Sequence, residues 1–308
     1  MSNGVDPGRD KGRYDLPHTA GQTAGQATAL AGRAELGPTH LITDPVSATS
    51  SDGGSEVPNT TWLADARDDT KYGGKAVSLS LLMRNSFLVP AAFCIPTNAV
   101  ADLQASRSEI GFFLSGLHAS RLAVRSSAIA EDGRHASYAG VFHSKLHVEP
   151  TLDQLLLAIG EVAESQNSVE AAAYRDALKL PRRTGIAVIV QEMLDTSRFG
   201  VLFTRNPVTG QREYIVEAYR GTPGDTTATQ CPTLYSFDSR GSATPANDRV
   251  QRAYPHDDTP DEQIMEVVRI GQACEDLFGY PLDVEWAVFG ERVWILQCRE
   301  ITAIDLRP

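Results

Sequence analysis

Two carboxylates, an amide and an arginine sit close together near the C-terminal end of this 308-residue chain. Asp283-Val284-Glu285-Trp286-Ala287-Val288 alternates polar and apolar side chains, Gly290-Glu291 supplies a turn, and Val293-Trp294-Ile295-Leu296-Gln297-Cys298-Arg299 returns. Closed by a three-residue loop, this hairpin sets Glu285 opposite Gln297 and Asp283 opposite Arg299. Val284, Trp286, Val288, Trp294, Leu296 and Cys298 then share one apolar face, whereas a two-residue loop would mix the two faces. Carboxylates two positions apart on a strand can share a hard cation such as Mg²⁺. An arginine fork beside them suits phosphate. The same residues could equally form an ordinary amphipathic edge hairpin, with Asp283 and Arg299 as a cross-strand ion pair.

Other segments carry residues of the same kind. Tyr72-Gly73-Gly74-Lys75-Ala76 pairs glycines with a lysine at a helix start, where backbone amides and an ammonium can approach a phosphate, although the spacing is not that of a Walker A loop. Leu122-Ala123-Val124-Arg125-Ser126-Ser127 delivers an arginine beside two hydroxyls, and the small-residue run Ser137-Tyr138-Ala139-Gly140 follows. Ile186 to Met193 reads as a buried strand ending in Gln191-Glu192-Met193, an end that could offer backbone groups to an adenine edge or simply belong to a core. His143 and His147 lie four apart in strand-like sequence, which does not make a metal pair.

The elements that must position these residues follow from periodicity and breakers. Helices are expected over Lys75–Met83, Asp102–Leu117, Leu152–Leu180 with a break near Gln166, and Asp261–Phe278. Strands are expected at Ala92–Ile95, Leu122–Arg125 and Tyr138–Val148. Ile186–Met193 should neighbour Gly200–Thr204 and Tyr214–Ala218, while Gly221–Asn247 reads as irregular. Strands and helices mix without strict βαβ alternation, which favours α+β layering. Residues 1–60 are rich in Gly, Ala, Ser, Thr, Asp and Pro and read as a disordered extension. A formal charge of −11 argues against general binding to nucleic acid or anionic membrane. No apolar run is long enough to span a bilayer, and the four scattered cysteines form no CxxC pair, so a reduced cytoplasmic protein is expected.

Taken in order, seven blocks form a resemblance. They are Lys71–Leu79, Val89-Pro90, Val124–Asp132, Ala136–Gly140, Val190-Gln191, Gly200–Gly210, and Asp283–Trp286 with Leu296–Thr302. Together they resemble the N-terminal nucleotide-binding domain of the phosphoenolpyruvate synthase and pyruvate phosphate dikinase family, shared by rifampin phosphotransferase. The resemblance covers roughly residues 61–302 and implies an ATP-grasp fold, with a lobe at 61–185, another at 186–308, and ATP held between them.

Residue by residue, the resemblance implies that Lys75 and Arg125 grip phosphates and that Arg299 acts on them during transfer. Glu285 and Gln297 match metal-site and nucleotide-site residues, and Asp283 joins them as a metal-site residue, with Asp283 and Glu285 holding Mg²⁺ across the phosphate oxygens. Gln191, Glu192 and Met193 would line the adenine, and Glu217 would touch the ribose or its neighbouring loop. After Glu217 the family's glycine-rich run is replaced by Tyr219-Arg220-Gly221-Thr222-Pro223-Gly224, and after Gly140 the chain reads Val141-Phe142-His143-Ser144. The implied activity is that of an ATP- and Mg²⁺-dependent phosphotransferase acting on a small-molecule acceptor. The alternatives are a split system phosphorylating a histidine domain on another chain, and a nucleotide-binding regulatory module without turnover.

Overall fold

In the computed structural model the described residues are 60–129, 144–169, 171–173, 185–225, 231–244 and 261–301. Residues 1–59 of the expected extension, the Tyr138–His143 part of the expected strand, residues 130–132 of the Val124–Asp132 block, the Ala136–Gly140 block, and residue 170 and the 174–180 end of the long helix lie outside them. Two antiparallel sheets organise the rest, and the architecture is α+β. The first sheet contains β1 (Thr61–Trp62), β2 (Ala92–Ile95), β3 (Leu122–Ala128), β4 (Ser144–Val148) and β5 (Ile186–Glu192), in the order β1-β2-β5-β3-β4. The second contains β6 (Arg198–Phe203), β7 (Tyr214–Arg220), β8 (Thr233–Phe237), β9 (Ala243–Thr244), β10 (Leu282–Phe289) and β11 (Arg292–Glu300), in the order β11-β10-β6-β7-β8-β9.

Each helix is bounded by local chemistry. α1 (Asp69–Arg84) starts from Asp68, whose side chain accepts the Thr70 N–H, but Gly73 at φ 74° interrupts it, so the continuous helix begins at Gly74. The helix expected over Asp102–Leu117 is the shorter α3 (Arg107–Ser115), and a separate short helix, α2 (Thr97–Ala101), precedes that span. α4 (Leu152–Glu164) is capped by Thr151 and gives way to a 3₁₀ turn at Ser165–Asn167, at the expected break. α5 (Glu262–Phe278) is capped by Asp261, which accepts the Ile264 N–H, and ends at Gly279 in the left-handed region.

Two apolar clusters hold these layers together. One fills the space beneath the first sheet with Phe93, Ile110, Leu122, Leu155, Ile159 and Val190. The other joins α1, α5 and the second sheet through Leu79, Leu82, Val268, Val284, Trp286 and Ile295. Burying each such side chain stabilises the fold by roughly 1.5–3 kcal/mol.

The structure corrects three expectations. β5 pairs with β2 and β3, not with β6 and β7, because it is a central strand buried along nearly its whole length and carries no one-faced pattern to reveal its partners. The stretch read as irregular contains β8 and β9. The terminal hairpin closes with the two residues Gly290 and Glu291, both at positive φ (57° and 65°).

Candidate active site

The hairpin builds the floor of the site. Asp283 pairs with Arg299 and Glu285 with Gln297, but Trp286 pairs with Ile295, so Leu296 is an unpaired bulge residue. That one extra residue reconciles a two-residue turn with the polar pairing. Val284, Trp286, Val288, Val293, Ile295 and Cys298 consequently enter the core. Trp294 pairs with Ala287 instead of joining them, and Leu296 lines a cleft with Gln191 and Arg125. Both residues were expected on the apolar face, so their placement is a correction.

Across the second sheet the register runs Gln297, Glu285, Val201, Glu217. The Glu217 and Glu285 backbones are therefore two strands, about 10 Å, apart on one face. Burial pushes the Glu217 carboxyl above its ordinary value, and the neighbouring Asp283 charge adds to the shift. Asp283 is likewise raised by burial, against the pull of Arg299. Arg299 donates from Nε (2.8 Å) and Nη2 (2.5 Å) to Asp283 Oδ2, so the cross-strand ion pair left open by the sequence is formed.

The first sheet supplies the opposite wall. Arg125 on β3 is buried, and its Nη1 donates to Glu285 Oε2 at 3.1 Å and to Gln297 Oε1 at 3.3 Å, joining the two sheets. Its Nε has no hydrogen-bond partner among the described residues. Two positions along β3, Ser127 anchors the start of α1: its Oγ accepts the Ala76 N–H at 3.2 Å. A Cβ on Gly73 would lie 2.4 Å from the Ser127 carbonyl oxygen, so only glycine permits this approach. The half-buried Lys75 thereby begins its helix against the strand that carries Arg125.

Between these walls lies a narrow cleft. Its lining includes Arg125, Gln191, Glu192, Met193, Leu194 and Leu296. The Met193 N–H is spent on the Arg121 carbonyl, and the Glu192 carboxylate accepts the His118 N–H. Ala123, Leu146, Thr196 and Pro223 also line it and were not singled out from the sequence. Leu146 and Pro223 carry no motif, and Leu296 could be found only by noticing that a tight Gly-Glu turn demands a bulge.

Residues 108–307 match the family profile described as pyruvate phosphate dikinase, AMP/ATP-binding domain. The chain belongs to that family. Membership in this AMP/ATP-binding family, together with the paired antiparallel sheets, makes the architecture an ATP-grasp fold. Among relatives, the prodigiosin synthesizing transferase PigC of Serratia marcescens is 30% identical, over 75% of this chain and 32% of its own. The rifampicin phosphotransferase of a Streptomyces species is 27% identical, over 78% of this chain and 35% of its own. Phosphoenolpyruvate synthase of Pyrococcus furiosus is 30% identical, over 59% of this chain and 26% of its own. The chain thus spans about a third or less of the length of these relatives. Among solved structures, the L-amino acid ligase of Bacillus licheniformis covers 74% of this chain and 42% of its own at 13% identity, with a TM-score of 0.39.

The residues of this AMP/ATP-binding domain fit a nucleotide. The unpartnered Arg125 Nε beside the cleft suits a phosphate oxygen. Among the described residues no three His, Cys, Asp or Glu side chains converge as metal ligands. Nor is any described helix long and apolar enough to cross a membrane.

Proposed function

We propose that this chain binds ATP with Mg²⁺ between its two sheets and transfers a phosphoryl group to a small-molecule acceptor. The observation that carries the reading is Arg125, which reaches from β3 to Glu285 and Gln297 while keeping Nε unpartnered beside the cleft. In this reading Glu285 and Gln297 hold Mg²⁺ against the phosphates, which it would neutralise. Lys75 and Arg125 grip the phosphate chain from the first sheet. Arg299 stabilises the charge that develops during transfer, and Asp283, engaged by both donors of Arg299, fixes its orientation in place of ligating the metal. The apolar cleft with Met193 and Leu296 receives the base, beside Glu192, and Glu217 stands toward the ribose.

A second reading is supported by the longer relatives, one of them named phosphoenolpyruvate synthase: the acceptor is a histidine domain on another polypeptide. Nucleotide products separate the two, since direct transfer to a small molecule leaves ADP whereas the synthase-type route yields AMP and phosphate. The first test is calorimetric binding of ATP with and without Mg²⁺ to the native chain and to Glu285→Gln. Metal-dependent binding that Glu285→Gln weakens supports the site; no binding by the native chain at millimolar ATP removes it.

A further inference from the structure

β4 carries an irregularity at the mouth of the cleft. Leu122 pairs with Val148 and Val124 with Lys145, so Leu146 and His147 together oppose the single residue Ala123. This bulge puts His147 at φ 57°, a conformation that glycine adopts freely and that is uncommon for a residue with a side chain. Bulges beside active sites commonly re-aim a side chain, and His147 meets three parts of the cleft wall. It follows Leu146 in the chain, its N–H donates to Met193 Sδ at 3.0 Å, and its Nε2 lies 3.4 Å from Asp225 Oδ1. Leu146 and Met193 line the cleft, and so does Pro223 on the loop that follows β7.

That loop has a fixed course. Gly221 (φ 100°) and Gly224 (φ 96°) bend it. Thr196 Oγ1 donates to the Gly221 carbonyl at 2.8 Å, and the Gly221 N–H donates to the Ser197 carbonyl at 3.0 Å. The Asp225 N–H donates to the Thr222 carbonyl at 3.1 Å and closes a turn around Pro223. At Gly224 the backbone runs so near β4 that a Cβ would lie 2.8 Å from Leu146 Cδ1 and 2.9 Å from His147 Nε2. Arg125 therefore joins the two sheets beside Glu285, and His147 joins them at the far end of the cleft, where the apolar lining lies.

We infer, resting on the ATP reading above, that His147 is a positioning residue of the nucleotide site: through Asp225 it holds the 221–225 loop against β4, so that Leu146, Met193 and Pro223 form one apolar wall for the purine base. The His147 and Asp225 side chains are exposed, so their contact alone contributes little. Its effect is to order beforehand a loop that would otherwise lose its freedom only when the base binds.

A double-mutant cycle read by calorimetry with ATP and Mg²⁺ tests this. Asparagine tolerates the left-handed backbone at position 147 and is too short to reach Asp225, while Asp225→Ala removes the partner. Without nucleotide both variants should melt close to the native chain, yet each should bind ATP about fivefold more weakly. The double variant should bind no more weakly than either single one, because both substitutions break one contact. If either single variant binds ATP as tightly as the native chain, the inference is overturned while the ATP reading stands. Losses that add in the double variant overturn it equally, since the two residues would then act separately. If His147→Asn does not fold, Asp225→Ala, at an exposed loop position, decides alone. Failure of the native chain itself to bind ATP would instead refute the underlying reading.

Discussion

Glu285 and Val284 are neighbours in sequence and opposites in consequence. Val284 is 1% exposed in the core cluster, whereas the Glu285 side chain is 35% exposed and held by Arg125. Val284→Gln should cost on the order of 1–3 kcal/mol by burying an amide without a partner. Glu285→Gln should leave melting nearly unchanged and abolish Mg²⁺-dependent turnover. Melting curves and product formation for the two variants check this, and a reversed pattern would place the ligand on the wrong face. Glu217 gives a pH-dependent expectation. Its folded carboxyl titrates above its ordinary value because burial disfavours the charge, so the folded state binds the proton more tightly than the unfolded chain does. Stability is therefore lost as pH rises from the unfolded value through the folded one. Glu217→Gln should melt above the native chain at neutral pH, and the advantage should vanish once the solution is acid enough to protonate the unfolded side chain. An advantage that persists unchanged at low pH would point to packing rather than charge.

At the scale of elements, two backbone devices aim the side chains. The tight turn puts Glu291 at φ 65°, a region that costs a residue with a side chain about 1–2 kcal/mol. Gly290→Asn combined with Glu291→Gly supplies the preferred sequence for such a turn and should stabilise the protein by about 1 kcal/mol, read by chemical denaturation. The bulge at Leu296 should survive that change, and nucleotide affinity with it. Gly73 is the other device. Gly73→Ala would meet both a positive φ of 74° and the Ser127 carbonyl, so a loss of about 2–3 kcal/mol is expected. Because α1 starts against β3 at this point, nucleotide affinity should fall in the same variant; retained affinity would show that Lys75 acts independently of that seat.

At the scale of the molecule, Arg125 is a tie between layers whose sequence positions differ by 160 residues from Glu285 and 172 from Gln297. Nucleotide bound between the layers should stabilise the whole unit by about 2.7 kcal/mol at one hundred times Kd. Arg125→Met should fold, since Glu285 keeps access to water, but its melting should no longer respond to Mg·ATP. An undiminished response would remove Arg125 from the phosphate site.

Much of the local structure was legible beforehand. Asp261 and Gly279 bracket α5 as a cap and a left-handed stop, and the polar alternation from Asp283 foretold its pairing with Arg299. Such signals act over a few residues, so the chain carries them openly. The order of its motif blocks also pointed to the nucleotide-binding family before any fold was seen. What tertiary structure decided is of longer range. β5 could not announce its partners, because burial on both faces erases the alternation that marks a one-sided strand. The Tyr235 and Phe237 alternation in β8 was present but short, and its irregular surroundings concealed it. Leu296 turned toward the cleft only because turn geometry and face pairing disagree by one residue. Sequence determined which residues could do chemistry, and packing determined which of them meet, because contacts across a sheet depend on partners that local periodicity does not encode.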